Sequence, residues 1–202
     1  MTPDLVIPTY EKVGQAWAET RSARLMERGW LDRFLSLAPR NEGRPRVLDL
    51  GCGAGRPIAA YLVERGARVT GVDAAATMTR LIGEVVPQVE AITADMRGLA
   101  LDRRFDAILA WNSFFHLSAE DQRRMFATFA AHAAPSAALM FTSGHMAGEA
   151  IGEVAGEPIY HASLSEEDYR AHLRDAGFKV IRHTAEDPEC GGHTIWLARF
   201  TA

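Results

Sequence analysis

A glycine-rich segment that begins with an acid is the part of the sequence best suited to bind a ligand. The run Asp49-Leu50-Gly51-Cys52-Gly53-Ala54-Gly55 follows a short apolar stretch, 46–50, that is expected to be a buried strand, and it precedes a predicted helix. Its three glycines allow the backbone to approach a ligand closely and to turn tightly into that helix. In an open α/β sheet the ligand crevice lies beyond the carboxyl ends of the strands, which is where this loop is expected.

The spacing of these glycines disfavours a nicotinamide-binding protein. The dinucleotide fingerprint G-x-G-x-x-G would place its third glycine at position 56, which is Arg56. An acid two residues before the first glycine is also foreign to that fingerprint. Asp49 suits a ligand with a cationic amino group, because carboxylate–ammonium contacts are charge-assisted. A nicotinamide-dependent oxidoreductase on the same architecture is kept as an alternative.

Two further acids stand where the next two strands are expected to end. Asp73 follows the apolar run 69–72, and Asp95 follows the run 89–93. Each acid by itself would more often be a helix cap or a turn residue. Three such features at three successive strand ends are difficult to attribute to turn chemistry, so together they indicate one binding site.

This combination resembles the class I S-adenosylmethionine-dependent methyltransferases, and the order of elements continues the resemblance from Arg46 to Phe200. It implies methyl transfer from S-adenosylmethionine, with S-adenosylhomocysteine as the product. It also implies that the first loop contacts the methionine part, that Asp73 holds the ribose hydroxyls and that Asp95 binds the adenine amino group. The cofactor-binding candidates in this core are Asp49, Gly51, Cys52, Gly53, Asp73, Ala74, Met78, Asp95, Met96, Trp111 and Asn112.

The N-terminal segment carries a second resemblance. Residues 10–21 are similar to the Y-x(6)-W-x(3)-R opening of many small-molecule methyltransferases, in which a helix covers the cofactor and the arginine pairs with its carboxylate. Trp17 and Arg21 are therefore further cofactor-binding candidates, with a solvated arginine as the alternative for Arg21. Residues 1–40 are expected to form a helical cap with a break near Gly29.

Residues after the fourth and fifth predicted strands are candidates for the acceptor side. His116 and His145 are the candidate general bases, because these two strands flank the reaction centre and a base is needed if the acceptor must lose a proton. The segment 143–163 is expected to be a loop over the methyl-transfer site that forms part of the acceptor pocket, with a flexible surface loop as the alternative. Residues 112–115 keep the ends of the D/N-P-P-Y/F motif of nucleobase methyltransferases but lack both prolines, so a nucleobase acceptor is not favoured.

The elements that must position these residues alternate between strand and helix. Five strands separated by helices predict a mostly parallel sheet. The last two predicted strands, 179–184 and 194–200, have no helix between them and should pair antiparallel. The expected fold is α/β, a seven-stranded, mostly parallel, Rossmann-like sheet with an antiparallel last strand, helices on both faces and an N-terminal cap helix. We expect a single methyltransferase domain over 1–202, with the cap at 1–40 and the core at 41–202.

Composition and charge restrict the classes of function. The 202 residues carry a formal net charge of −4, which gives no electrostatic footprint for nucleic acid. No apolar stretch approaches the ~20 residues of a membrane span. Cys52 and Cys190 have no metal-ligand neighbour at the usual spacing, so no metal site is expected.

These observations predict a cytoplasmic enzyme, a monomer or homodimer, that acts on a small-molecule acceptor without a nucleic acid or membrane partner. A non-catalytic module that binds S-adenosylmethionine is the second alternative. The identity of the acceptor and the atom that is methylated do not follow from the sequence.

Overall fold

The computed structural model describes residues 1–22, 24–39 and 43–201, so the predicted boundary between cap and core at residues 40 and 41 lies outside the described residues. The helices and strands, in chain order, are α1 (Val6–Thr20), α2 (Arg28–Leu37), β1 (Arg46–Leu50), α3 (Ile58–Glu64), β2 (Arg68–Asp73), α4 (Ala76–Val85), β3 (Glu90–Thr93), β4 (Phe105–Ala110), α5 (Ala119–His132), β5 (Ala133–Ser143), β6 (Gly148–Val154), β7 (Glu157–Ser163), α6 (Glu166–Asp175), β8 (Phe178–Asp187) and β9 (His193–Phe200). From β1 to β5, strands and helices alternate as the sequence predicts, except that β3 and β4 are joined by a segment with a single 3-10 turn, Met96–Gly98.

Seven strands form one sheet in the order β3-β2-β1-β4-β5-β9-β8. The pairs from β3 through β5 are parallel, whereas β9 runs antiparallel to both β5 and β8. This confirms the predicted mostly parallel sheet with an antiparallel last strand. The strand order reverses between β1 and β4, which is the point where open α/β sheets form a ligand crevice at their carboxyl ends.

Helices cover both faces of this sheet, as predicted. Alternate side chains of the central strands enter two hydrophobic clusters. Val47, Ala107 and Met140 pack on the side of α2 and α3. Leu48, Ile108 and Phe141 pack on the side of α5 and α6. Because β4 is covered on both faces, all six of its residues are buried, which accounts for its continuous apolar sequence.

Helices α5 and α6 each begin with a serine N-cap. The Ser118 hydroxyl accepts a hydrogen bond from the backbone N–H of Asp121 at 3.1 Å, at the start of α5. The Ser165 hydroxyl accepts one from the N–H of Asp168 at 3.1 Å, at the start of α6. Each contact satisfies a donor that the first helical turn would otherwise leave unpaired. Within the described ranges, none of the helices is both long and apolar enough to cross a membrane.

The helical N-terminal segment is divided differently from the prediction. The break lies between α1 and α2, and Gly29 lies within α2. Trp30, Leu31 and Phe34 of α2 are buried in the cluster that contains α3. The sequence analysis expected residues 1–40 to cover the binding site. Only α1 has that position, because the apolar face of α2 packs on the sheet.

Helix α1 is fastened to the amino end of α4 by one carboxylate. The Glu11 side chain accepts hydrogen bonds from the backbone N–H of Ala76 and from the N–H and hydroxyl of Thr77, the latter two at 3.1 and 2.6 Å. The cap residue of α4, Ala75, offers no side-chain oxygen of its own. Glu11 thus supplies in trans the N-cap that α4 lacks.

The segment 143–163 is not a loop, so this expectation is wrong. It forms the β6–β7 hairpin, a separate two-stranded antiparallel sheet in register from Gly148 with Ser163 to Val154 with Glu157. Its two-residue turn has positive φ at both positions, 47° and 84°, which suits the twist of a hairpin. Buried side chains of β7 pack against Val6 and Val13 of α1. Helix α1 is therefore in contact both with the hairpin and with α4.

Candidate functional site

A cavity lies at the carboxyl ends of β1 to β4, with α1 as one wall. It contains about 1070 Å³ of empty space, part of which is open to solvent. The predicted cofactor-binding residues all line it: Trp17, Arg21, Asp49, Gly51, Cys52, Gly53, Asp73, Ala74, Met78, Asp95, Met96, Trp111 and Asn112. The fold thus brings these residues together, while their contact with a cofactor stays a prediction.

The loop after β1 is held against the end of β2 and against the segment after β4. The backbone N–H groups of Gly51 and Cys52 both donate to the carbonyl of Val72, at 2.7 and 3.1 Å. Gly51 has φ 74°, and a Cβ atom there would lie 2.2 Å from the Cβ of Ser113. The Ser113 hydroxyl donates to the carbonyl of Leu50 at 2.6 Å. Gly51 is therefore required by the close packing of this loop against Ser113.

Asp73 organises the ribose side of the predicted site. One of its carboxylate oxygens accepts a hydrogen bond from the N–H of Gly53 at 3.0 Å, and the other accepts one from the N–H of Ala75 at 3.0 Å. Burial raises the pKa of Asp73 above its ordinary value, and these backbone hydrogen bonds oppose the effect. A carboxylate oxygen can accept more than one hydrogen bond, so Asp73 keeps the capacity to bind hydroxyl groups in the cavity.

Asp49 is a buried carboxyl group at the cavity wall. Only 3% of the surface of Asp49 is exposed to solvent. Burial, together with the nearby charge of Asp73, raises its pKa to about 7, while Arg21 opposes this. A cationic group placed beside Asp49 would favour its charged form. This is the chemistry expected for a ligand that carries an ammonium group.

Asp95 is held by the arginine two residues after it. Arg97 Nε lies 3.1 and 3.0 Å from the two carboxylate oxygens, and the backbone N–H of Arg97 donates to one of them at 2.9 Å. Burial by itself would raise the pKa of Asp95, but the hydrogen bonds from Arg97 lower it overall. Arg97 also lies 3.6 Å from Asp121 at the start of α5. The Asp95 carboxylate is thus kept charged and in one orientation.

The segment after β4 presents Asn112 in a fixed orientation. Asn112 has φ 50°, and its N–H donates to the Thr142 hydroxyl at 2.8 Å. That hydroxyl donates to the amide oxygen of Asn112 at 3.2 Å. The amide nitrogen of Asn112 lies 2.9 Å from Nε2 of His193, whose Nδ1 lies 2.6 Å from the carbonyl of Cys190. Because a carbonyl only accepts, Nδ1 of His193 carries the hydrogen and Nε2 accepts from Asn112.

Trp17 and Arg21 extend the wall formed by α1. The Trp17 ring lies so close to Gly53 that a Cβ atom there would be 3.3 Å from the ring. The guanidinium of Arg21 stacks on Trp17 with its carbon 5.1 Å from the ring centroid, and its Nε donates to the carbonyl of Arg56 at 3.2 Å. One terminal nitrogen lies 3.9 Å from the buried carboxylate of Glu27. Arg21 is therefore held at the cavity instead of extending into solvent.

Of the two candidate bases, only His116 lines the cavity. His116 is buried, and burial lowers its pKa to about 4. The side chain of His145 is half exposed and lies 3.9 Å from Glu186, outside the cavity wall. The structure gives no support for His145 as a base, because its side chain is not among the residues that line the cavity.

Several lining residues were not among the sequence candidates. They include Val6, Ile7 and Tyr10 of α1, and Arg97 and Leu117. Tyr10 could have been found from the sequence, because Tyr10 and Trp17 are seven residues apart and so lie on one face of a helix. Nothing local to Arg97 or Leu117 distinguishes them from surface or core residues.

Comparisons with known proteins agree with this geometry. Residues 47–136 match the model of a protein family described as a methyltransferase domain. A trans-aconitate 2-methyltransferase of Azoarcus sp. (strain BH72) is 48% identical over 66 residues, which are 32% of this chain and 26% of that protein. The match therefore spans about a quarter of the length of this curated relative.

Solved structures with a similar fold cover nearly all of the chain. An amino pentose methyltransferase from Micromonospora echinaspora, bound to S-adenosylmethionine, superposes with a TM-score of 0.71 at 19% identity, over 96% of this chain and 97% of that one. The 1,6-didemethyltoxoflavin-N1-methyltransferase of Burkholderia thailandensis, bound to S-adenosylhomocysteine, gives a TM-score of 0.70 at 22% identity, over 99% and 87%. At these identities the likeness shows the fold, and with the family match it confirms the resemblance inferred from the sequence.

Proposed function

We propose that this chain, which has the Rossmann-like fold of the class I methyltransferases, binds S-adenosylmethionine and transfers its methyl group to a small molecule. One observation carries the proposal. Three acids, Asp49, Asp73 and Asp95, stand at the ends of three adjacent parallel strands and line one cavity. This order matches the amino acid, ribose and adenine parts of a single extended ligand.

The residues present fit such a ligand at its amino acid end. Asp49 is a buried carboxyl group that a neighbouring cation would stabilise in its charged form. Arg21, fixed by Trp17 and Arg56, offers guanidinium donors that suit a carboxylate. Asp49 can bind an ammonium group and Arg21 a carboxylate, so together they suit a ligand that carries both groups on one carbon.

S-adenosylmethionine supplies a methyl group on a sulfonium, which passes to the lone pair of the acceptor while the electrons of the C–S bond stay on sulfur. The task of the chain is to hold donor and acceptor in line, and alignment of this kind is worth roughly 7–11 kcal/mol. Asp73 and Asp95 are oriented for it by backbone and arginine hydrogen bonds. Helix α1 forms one wall of the cavity and shields that side from solvent.

The proposal extends to the domain organisation and the acceptor side. We propose that the chain acts as one methyltransferase domain and that the β6–β7 hairpin borders the acceptor. The hairpin packs against α1, and its Tyr160 carbonyl contacts His116 at the cavity wall, which supports this placement. The enzymes named above are methyltransferases of trans-aconitate, of an amino pentose and of 1,6-didemethyltoxoflavin, which favours a small-molecule acceptor here.

Calorimetry with S-adenosylmethionine and NADH tests the proposal. The wild type should bind S-adenosylmethionine and not NADH. Asp73→Ala should weaken binding by at least roughly tenfold, because it removes charged hydrogen-bond acceptors. Asp175→Ala is the matched control, because this acid lies on α6 away from the cavity. Thermal unfolding of each variant shows that it is folded.

The two alternatives give different results in the same experiment. A folded wild type that binds NADH would support an oxidoreductase and refute the proposal. Binding of S-adenosylmethionine with unchanged affinity in Asp73→Ala would contradict the assignment of the site. If S-adenosylmethionine binds but no S-adenosylhomocysteine forms with any small-molecule amine or hydroxyl compound, the non-catalytic module is favoured.

A further inference from the structure

A hydrogen-bonded pair, Tyr10 and His116, lines the β4 side of the cavity. The phenolic oxygen of Tyr10 lies 3.1 Å from Nε2 of His116, and the two rings meet edge to face at 5.6 Å. On its other side, Nδ1 of His116 lies 2.9 Å from the carbonyl oxygen of Tyr160 in β7. A chain of contacts thus runs from the hairpin through His116 to Tyr10 at the cavity wall.

The chemistry of the three groups determines the direction of each hydrogen bond. A backbone carbonyl can only accept, so Nδ1 of His116 carries the ring hydrogen and donates it to Tyr160. In the neutral imidazole Nε2 then has a lone pair and accepts, so the hydroxyl of Tyr10 donates to it. The single phenolic hydrogen of Tyr10 is thereby turned away from the cavity, and the remaining lone pairs of its oxygen can only accept.

The surroundings keep both groups in these states. Burial lowers the pKa of His116 to about 4, and the ring of His161, 4.9 Å away, acts in the same direction. Burial and the charge of Asp73 raise the pKa of Tyr10 well above its ordinary value, whereas Arg21 opposes this. The imidazole is therefore neutral and the phenol protonated at physiological pH, so this directed pair persists.

The strand order places the pair where the methyl acceptor must stand. If Asp95, Asp73 and Asp49 hold adenine, ribose and amino acid in turn, the ligand runs along the order β3-β2-β1. The next strand is β4, and His116 lies in the short turn that follows it. The hydroxyl of Tyr10, which bonds to His116, therefore lies on the β4 side of the bound methionine part. This is the side toward which the methyl group can be transferred.

We propose that the oxygen of Tyr10 accepts a hydrogen bond from an N–H group of the methyl acceptor, and that His116 is the positioning residue that directs it. The inference rests on the proposed function and narrows it to acceptors that are neutral amines, in which the nitrogen lone pair takes the methyl group and the resulting ammonium keeps its proton until the product leaves. The hydrogen bond from the acceptor aims the lone pair of the same atom at the methyl group. In this arrangement His116 is not the general base that its position in the sequence suggests, because its nitrogen already holds Tyr10.

Sinefungin and S-adenosylhomocysteine are probes that test this without knowledge of the acceptor. Sinefungin is an analogue of S-adenosylmethionine that carries an amino group at the position of the transferred methyl, whereas S-adenosylhomocysteine carries nothing there. The measured quantity is the ratio of the two dissociation constants by calorimetry. Tyr10→Phe, which keeps the ring and removes the oxygen, should reduce the preference for sinefungin by roughly tenfold. Tyr61→Phe is the matched control, because its hydroxyl binds Asp32 outside the cavity.

Two substitutions at His116 separate positioning from packing. His116→Gln keeps an acceptor near the place of Nε2 and should retain most of the preference for sinefungin. His116→Asn keeps only the contact near Nδ1 and should lose it as Tyr10→Phe does. If S-adenosylhomocysteine binds every variant and Tyr10→Phe leaves the ratio unchanged, the inference is overturned and the proposed function stands. If the folded wild type binds neither probe, the proposed function itself fails.

Discussion

The buried carboxyl group of Asp49 makes the affinity for the product depend on pH. Its pKa is raised from an ordinary 3.8 to about 7 by burial and by the charge of Asp73. In the complex, the ammonium group of S-adenosylhomocysteine would return this pKa toward its ordinary value. Between pH 7 and pH 5 the free protein must then lose a proton to bind, and the affinity should fall by roughly 50-fold.

Calorimetry in buffers of different ionisation enthalpy measures this directly. At pH 6 about 0.9 proton should be released for each S-adenosylhomocysteine bound, since Asp49 is mostly protonated before binding and ionised after it. His116, whose pKa is about 4, stays neutral over this range and does not contribute. Asp49→Asn should bind weakly with a flat pH profile. Equal wild-type affinity at pH 5 and pH 7 would refute the reasoning, and an unchanged pH profile in Asp49→Asn would assign the proton to another group.

The same group should oppose folding of the free protein. A carboxyl whose folded pKa is raised binds its proton more tightly when folded, so its contribution to stability is full below pH 3.8 and is lost as pH rises to about 7. The loss corresponds to at most about 4 kcal/mol. Asp49→Asn should therefore raise the free energy of unfolding at pH 8 while it weakens binding. A variant that is less stable than the wild type at pH 8 would contradict this account.

Three further predictions concern the supports of the site. Gly51→Ala should destabilise the protein by about 2–4 kcal/mol in urea unfolding, because its Cβ would lie 2.2 Å from a serine Cβ. Gly83→Ala, in α4 with open space around it, should stabilise it by about 0.5–1 kcal/mol, and equal effects of the two substitutions would count against the packing argument. Glu11→Gln should speed the release of S-adenosylhomocysteine in stopped-flow experiments, because it weakens the attachment of α1 to α4; an unchanged rate would show that α1 does not govern release. Arg97→Gln should raise the pKa of Asp95, which the arginine lowers, so that affinity for S-adenosylhomocysteine falls between pH 7 and pH 5 by more than the roughly 50-fold expected for the wild type; a pH profile like that of the wild type would contradict the role of this pair.

The positions of the strand ends could be predicted from the sequence, because the apolar runs and the glycines and acids that follow them are local patterns. Alternation of strands and helices dictates a parallel sheet, and a parallel sheet brings its carboxyl ends to one edge. Asp49, Asp73 and Asp95 follow three such strands, so their convergence was implied before any distance was known. The β6–β7 hairpin was not predicted, because Gly148 and Gly152 interrupt the alternation of side chains that is typical of a strand.

What only the tertiary structure decided are the contacts between residues far apart in the chain. Tyr10 and His116 are 106 positions apart, and their pairing depends on how α1 packs between α4 and the hairpin. The hairpin that stands where a loop was predicted gives His116 a carbonyl partner, whereas His145 is half exposed and lies beside Glu186. Burial then moves the pKa values of Asp49 and His116 in opposite directions, because each loses its charged form to desolvation. The sequence alone determined that the glycine-rich loop and the three acids at the strand ends reach one cavity. Their protonation, and the direction of the hydrogen bonds around them, follow from non-local packing that no local pattern encodes.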